Sequence, residues 1–219
     1  MRSLTFACSS SRENRLQAGR FREGPSMNYL RPGDALLIVD VQNDFLPGGT
    51  LAIPRGQEVI PALRRYLELF LDSNFPIFAT RDWHPPAHCS FHAQGGPWPT
   101  HCLAQTHGAQ FPSELQLPPS TIVISKGADP AQEAYSGFQG SSLHERLLAS
   151  GVTRLFVGGL ATDYCVLETV KDARRLGYEV YLLVDAIQAV NILPEDGPHA
   201  EEAMVSAGAV PLRWEQLAA

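Results

Sequence analysis

No apolar run in this chain approaches the roughly 18 to 20 residues that span a bilayer, so a soluble protein with no membrane partner is expected. Cysteine is scarce: four occur in 219 residues, at positions 8, 89, 102 and 165, with no CxxC spacing. That speaks against a disulfide scaffold and for reduced thiols in the cytoplasm. Basic charge is short as well, with 17 Lys and Arg against 23 Asp and Glu and a net charge of -6, which disfavours a nucleic-acid surface. After Met27 there is no internal repeat, no long Pro/Gly/Ser linker and no charge block. What is present is 44% hydrophobic and 18% charged residues, the composition of one globular domain with a sizeable core.

Residues 1–26 differ from the rest of the chain. They hold five arginines and five serines with little hydrophobic periodicity. Glu13 and Glu23 count against a transit peptide, and no apolar signal core is present. The expectation is a disordered extension, or a working start at Met27, ahead of a folded domain over residues 27–219.

From residue 35 onward short β-branched runs alternate with helical patterns. "ALLIVD" (35–40) is a continuous apolar run of the kind buried on both faces of a parallel sheet. Val59, Ile60, Leu63, Leu67 and Phe70 recur at helical spacing. Strands are predicted at 76–82, 121–126, 154–159, 179–185 and 209–212. Between them the pattern predicts a helix after Ser142, with Ser142 and Glu145 as a capping box, a second from about Tyr164 to Leu176, and a third near residues 199–207. Six strands alternating with helices imply an open α/β sheet, in which ligands bind beyond the carboxyl ends of the strands. Asp40, Asp82 and Lys126 end three of the predicted strands, and His84 and Cys165 lie just beyond two of them, so all fall on one edge.

Two constellations on that edge carry chemistry. Asp40 and Lys126 read either as a buried ion pair bracing two strands or as partners of Cys165. A free thiol with a pKa near 8.5 is only about 3% thiolate at pH 7, and lowering that pKa to about 7 takes roughly 2 kcal/mol. A helix N-terminus and a nearby ammonium can each supply part of it, with Asp40 accepting the proton. The second constellation is "RDWHPPAHCSFH" followed by "GGPWPTHC". Asp82 and His84, two residues apart on an extended segment, point to one side, and His101 can return from the loop. One carboxylate and two imidazoles suit Zn²⁺, Mn²⁺ or Fe²⁺ with open positions for water or substrate. His88 is either a further ligand or a hydrogen-bonding residue behind the ligands.

Five segments carry a family resemblance: "LLIVDVQNDFLPGG", "TRDWHPPAHCSF", "WPTHC", "SKGADPAQEAYSGF" and "GGLATDYCVLETVKDA". From about residue 36 to 209 the sequence resembles the nicotinamidases of the isochorismatase-like cysteine hydrolases. The resemblance implies a three-layer fold, with a six-stranded parallel sheet and helices on both faces. It implies a catalytic triad of Asp40, Lys126 and Cys165, an oxyanion hole from the backbone of Ala161 and Cys165, and a cis Leu160–Ala161 peptide. It further implies one divalent metal ion, Zn²⁺ first with Fe²⁺ or Mn²⁺ as alternatives, at Asp82, His84 and His101, and an aromatic substrate pocket of Phe45, Trp98 and Tyr135. The implied activity is hydrolysis of nicotinamide to nicotinate and ammonia, as in NAD salvage, with pyrazinamide as a further substrate. A homo-oligomer stays open. Beside this stand two other readings, a cysteine amidohydrolase for a different small amide and a catalytically silent protein that kept the fold.

Overall fold

The structure, a computed structural model, describes residues 30–217, and the extension expected over residues 1–26 lies outside them. The first strand, β1 (Asp34–Val39), is buried along its whole length. Its side chains alternate between two cores: Leu36 and Ile38 enter one, and Ala35, Leu37 and Val39 the other. A strand apolar on both faces needs cover on both, and the rest of the chain supplies it. There follow α1 (Val59–Asp72), β2 (Ile77–Asp82), β3 (Ile122–Lys126), α2 (Leu143–Ala149) and β4 (Arg154–Leu160). A π-helical turn (Thr162–Val166) leads into α3 (Leu167–Arg175), and β5 (Glu179–Gln188), α4 (Asp196–Ser206), β6 (Val210–Leu212) and α5 (Trp214–Leu217) complete the described chain.

The six strands pair in the order β3-β2-β1-β4-β5-β6, all parallel. Leu63, Tyr66 and Phe70 of α1 and Leu217 of α5 pack on the Leu36 face, while Leu147 of α2, Val170 of α3 and Met204 of α4 pack on the Leu37 face. This is the three-layer architecture expected. The chain runs outward from β1 to β3 and then returns to β4 on the other side of β1. The strand order therefore reverses between β1 and β4, and their carboxyl ends open the crevice where such sheets bind ligands. At the amino ends, Arg154 forks onto Asp34 at 2.5 and 2.8 Å and ties the same two strands together. Among the described residues no helix is long and apolar enough to cross a membrane.

Close approach of β4 to β1 requires a glycine. Gly159 has φ +128° and pairs with Val39, and a Cβ on it would overlap the Val39 carbonyl oxygen. The register of β4 against β5 shifts between Val157 and Gly159, a bulge beside the crevice. Gly159→Ala meets backbone on one side and an unfavourable φ on the other, so a loss of about 3 kcal/mol is expected in urea denaturation. A change within experimental error would show that β4 can move away from β1 at no cost.

Three sequence expectations need correction. The Ser142 side chain caps nothing. Instead the Ser141 hydroxyl accepts the Leu143 N–H at 3.2 Å and donates to the Gly137 carbonyl at 2.5 Å, so the cap sits one residue earlier. The segment predicted as one helix from Tyr164 begins as a π turn at Thr162, where the Val166 N–H reaches five residues back to the Ala161 carbonyl at 3.0 Å. The last of the expected helices starts at Asp196, because Pro198 in a first turn has no N–H to leave unpaired.

Candidate active site

Four carboxyl-terminal strand ends converge on one buried ammonium. Lys126, the last residue of β3, has no solvent exposure. Its Nζ lies 2.9 Å from Asp40 Oδ2, 2.5 Å from Asp82 Oδ1, 2.9 Å from the Ala134 carbonyl oxygen and 3.5 Å from Cys165 Sγ. Asp40 directly follows β1 in a left-handed conformation, φ +47°, and its Oδ1 accepts the Thr80 hydroxyl at 2.7 Å. Its Oδ2, although close to the ammonium, receives no directed hydrogen bond. That oxygen keeps a lone pair for another donor.

The charges do not cancel: two carboxylates share one cation. Burial pushes the Asp40 carboxyl up; Lys126 opposes this, but the charge of Asp82 adds to it, and the group ends above the ordinary carboxylate range. Burial acts the same way on Asp82, yet Lys126 and His84 more than reverse it and hold that carboxyl below the range. Burial also dominates at Cys165. The Lys126 ammonium opposes it, Asp40 and Asp82 reinforce it, and the thiol is pushed well above its usual value. The expectation of a thiol tuned to about 7 is thus corrected. Burial here favours the neutral thiol and raises the basicity of the neighbouring Asp40.

The nucleophile turn has its own geometry. The Leu160–Ala161 peptide is cis. Tyr164 and Val166 both donate to the Ala161 carbonyl, at 3.1 and 3.0 Å, and the Cys165 N–H between them does not.

On the other side of Lys126 lie Asp82, His84 and His101, whose ligand atoms all fall within 4.8 Å of one another. A backbone carbonyl can only accept, so each ring must carry hydrogen on Nδ1: His84 donates to Gly127 at 2.9 Å and His101 to Pro99 at 2.8 Å. Both Nε2 lone pairs are thereby left for the centre, and His84 Nε2 stands 3.6 Å from Asp82 Oδ2. Burial lowers the pKa of His101 and favours the neutral ring that a metal needs. At His84 burial acts likewise but is outweighed by Asp82, which draws positive charge toward that nitrogen. These residues fit a divalent cation. His88 stands outside the set, since its Nδ1 meets Ser90 Oγ at 2.7 Å and its Nε2 the Gln132 carbonyl at 3.0 Å. Its ring stacks on His84 with centroids 4.0 Å apart, so it backs that ring.

Thiol and donor set open on the same cavity, with about 450 Å³ of empty space, mouth included. Phe45, Trp98 and Tyr135, the three aromatics expected from the sequence, all line it. Trp98 Nε1 donates to Tyr135 Oη at 3.0 Å, which fixes both rings. Tyr164, which the sequence did not single out, completes the wall with its ring 5.1 Å from Trp98 and 5.6 Å from Tyr135.

Two more residues went unnoticed in the sequence although they lie in its most distinctive segment. Gln42 is buried and clamps the backbone of Asp82: its Oε1 accepts the Asp82 N–H at 2.7 Å and its Nε2 donates to the Asp82 carbonyl at 2.8 Å and to that of Ala109 at 2.9 Å. Asp44 accepts the Cys102 N–H at 2.7 Å and so holds the turn after His101. Gln42→Leu leaves these buried groups of Asp82 and Ala109 without partners, and a destabilisation of about 3 kcal/mol is expected in denaturant unfolding. A loss under about 1 kcal/mol would mean that Asp82 is held by other contacts.

Comparison with known proteins places this geometry. The model of the isochorismatase domain matches residues 34–216. The nicotinamidase of Escherichia coli (strain K12) is 38% identical over 199 residues, covering 81% of this chain and 93% of that protein. The nicotinamidase/pyrazinamidase of Mycobacterium tuberculosis is 40% identical over 169 residues, covering 72% of this chain and 87% of its own length. The crystal structure of pyrazinamidase of Pyrococcus horikoshii in complex with zinc superposes with a TM-score of 0.80 and 45% identity, covering 84% of this chain and 100% of that one. Matched from its first strand to its last helix, the chain belongs to the isochorismatase family.

Proposed function

We infer that the protein is a nicotinamidase, hydrolysing nicotinamide to nicotinate and ammonia through a thioester on Cys165. The observation that carries this reading is that one largely apolar cavity is lined both by Cys165, with Lys126 and Asp40 buried behind it, and by the His84–His101–Asp82 donor set. The E. coli and M. tuberculosis relatives act on the same amide by name, and the latter supports pyrazinamide as a second substrate.

Asp40 takes the thiol proton through Oδ2 as Sγ attacks the amide carbonyl. A base with a raised pKa next to a thiol with a raised pKa moves that proton only as the carbon–sulfur bond forms, so no free thiolate stands exposed to other electrophiles. The backbone N–H groups of Ala161 and Cys165 hold the tetrahedral oxygen. Protonated Asp40 gives its proton to the amine, the carbon–nitrogen bond breaks and ammonia leaves. Asp40 then takes a proton from water, the hydroxyl oxygen attacks the thioester, and the carbon–sulfur bond breaks to return the thiol and release nicotinate. Lys126 keeps Asp40 ionised between these steps and fixes its position. Phe45, Trp98, Tyr135 and Tyr164 hold the ring by its faces and edges and keep bulk water out.

Asp82, His84 and His101 would hold a divalent ion, which when bound would offer a Lewis-acid position suited to a ring nitrogen. One carboxylate and two imidazoles put zinc first, as does the zinc complex of the P. horikoshii relative, with Fe²⁺ and Mn²⁺ as alternatives. The described cysteines are all free, which supports a cytoplasmic location. Ammonia release from nicotinamide by the purified protein tests the function. Turnover of other small amides with none of nicotinamide would replace it with a different amidohydrolase.

A further inference from the structure

Two acidic residues line the cavity, Asp82 and Glu133, and they are placed very differently. Asp82 is buried and bonded to Lys126. Glu133 is half-buried and forms no ion pair with any described residue. Among the described residues its Oε1 accepts only the N–H of its neighbour Ala134, at 3.0 Å. The backbone beyond it is held in place, because the Ala134 carbonyl accepts from Lys126 at 2.9 Å and Tyr135 is bonded to Trp98. Among the described residues the Glu133 carboxylate is therefore an unpaired negative charge on the cavity wall, on a backbone held by its neighbours and beside the rings of Phe45, Trp98 and Tyr135. Its field reaches inside: burial chiefly raises the pKa of the Tyr135 phenol, and Glu133 adds to that rise.

We propose that Glu133 sets the charge selectivity of the cavity, admitting neutral amides and disfavouring ligands that carry a carboxylate, the product of the reaction among them. The proposal rests on the nicotinamidase reading, in which a neutral substrate becomes an anion in place. Aromatic stacking is the same for amide and acid, so shape alone cannot tell them apart. A single charge on the cavity wall can, because a part-dried cleft focuses the field of the charges along its wall. It speeds loss of the anionic product and bars carboxylate-bearing substrates from the same thiol.

The test compares KM for nicotinamide with the inhibition constant Ki for nicotinate in wild type, Glu133→Gln and Glu133→Asp. Glutamine keeps the Oε1 acceptor for Ala134 and removes the charge, and aspartate keeps the charge. The expected result is a rise of about tenfold in the ratio KM/Ki for Glu133→Gln, with Glu133→Asp within about twofold of wild type. A purely structural role would move both constants together and leave the ratio fixed. An unchanged ratio in Glu133→Gln, or an equal rise in Glu133→Asp, overturns the proposal. Failure of wild type to release ammonia from nicotinamide would instead overturn the functional reading itself, so the two failures are separable.

Discussion

Replacing Cys165 by alanine is expected to lower ammonia release from nicotinamide by roughly three orders of magnitude or more, because no other group can form the acyl intermediate. Folding should survive. The side chain is small, 7% exposed and at the edge of its core, so its loss leaves a minor cavity. Cys165→Ser should be nearly as inert, since a hydroxyl is far harder to ionise than a thiol. Nicotinamide should still bind both variants, because the aromatic wall and the donor set are untouched. Steady-state kinetics and calorimetry on the same preparations check both halves. Residual turnover above a few per cent of wild type would remove Cys165 from the chemistry.

The second large effect concerns the donor set. Alanine at Asp82, His84 or His101 is expected to weaken nicotinamide binding on the order of a hundredfold, equivalent to about 2.7 kcal/mol. Benzamide, which has the amide and the ring but no ring nitrogen, should lose far less. Loss of one ligand in three typically empties such a site, so chelation of wild type should reproduce the pattern, and added Zn²⁺, Mn²⁺ or Fe²⁺ should rescue chelated wild type but not the variants. Of the three positions, Asp82 is the most exposed to side effects, because it also carries Lys126 at 2.5 Å. His84→Ala is the cleaner probe. Parallel losses for the two amides would mean that the ion only shapes the loop around His101.

The convergence on Lys126 was legible in the sequence because it follows from strand ends. A run as apolar as residues 35–39 can only be a strand covered on both faces, and every residue placed at a carboxyl end then shares one edge. Asp82, His84 and His101 were legible from residue type and spacing. Gln42 was not, since nothing in a glutamine beside β1 says that it will read the peptide of a residue on β2, 40 positions away. The direction of the Cys165 pKa was missed for a related reason. Lys126 was visible as a neighbouring cation, but the second carboxylate on it became visible only when Asp82 was seen to bond the same ammonium. The π turn at Thr162 looked helical because its side-chain pattern continues that of α3; only the backbone bond to Ala161 separates the two.

The central claim, that nicotinamide is hydrolysed through Cys165, is met most directly by mass spectrometry of the protein quenched in acid during turnover. The expected result is a nicotinoyl group on the peptide containing Cys165, absent when the substrate is withheld and absent from Cys165→Ala. An acyl group on any other residue, or protein that hydrolyses nicotinamide steadily while Cys165 is blocked by prior alkylation, would contradict it.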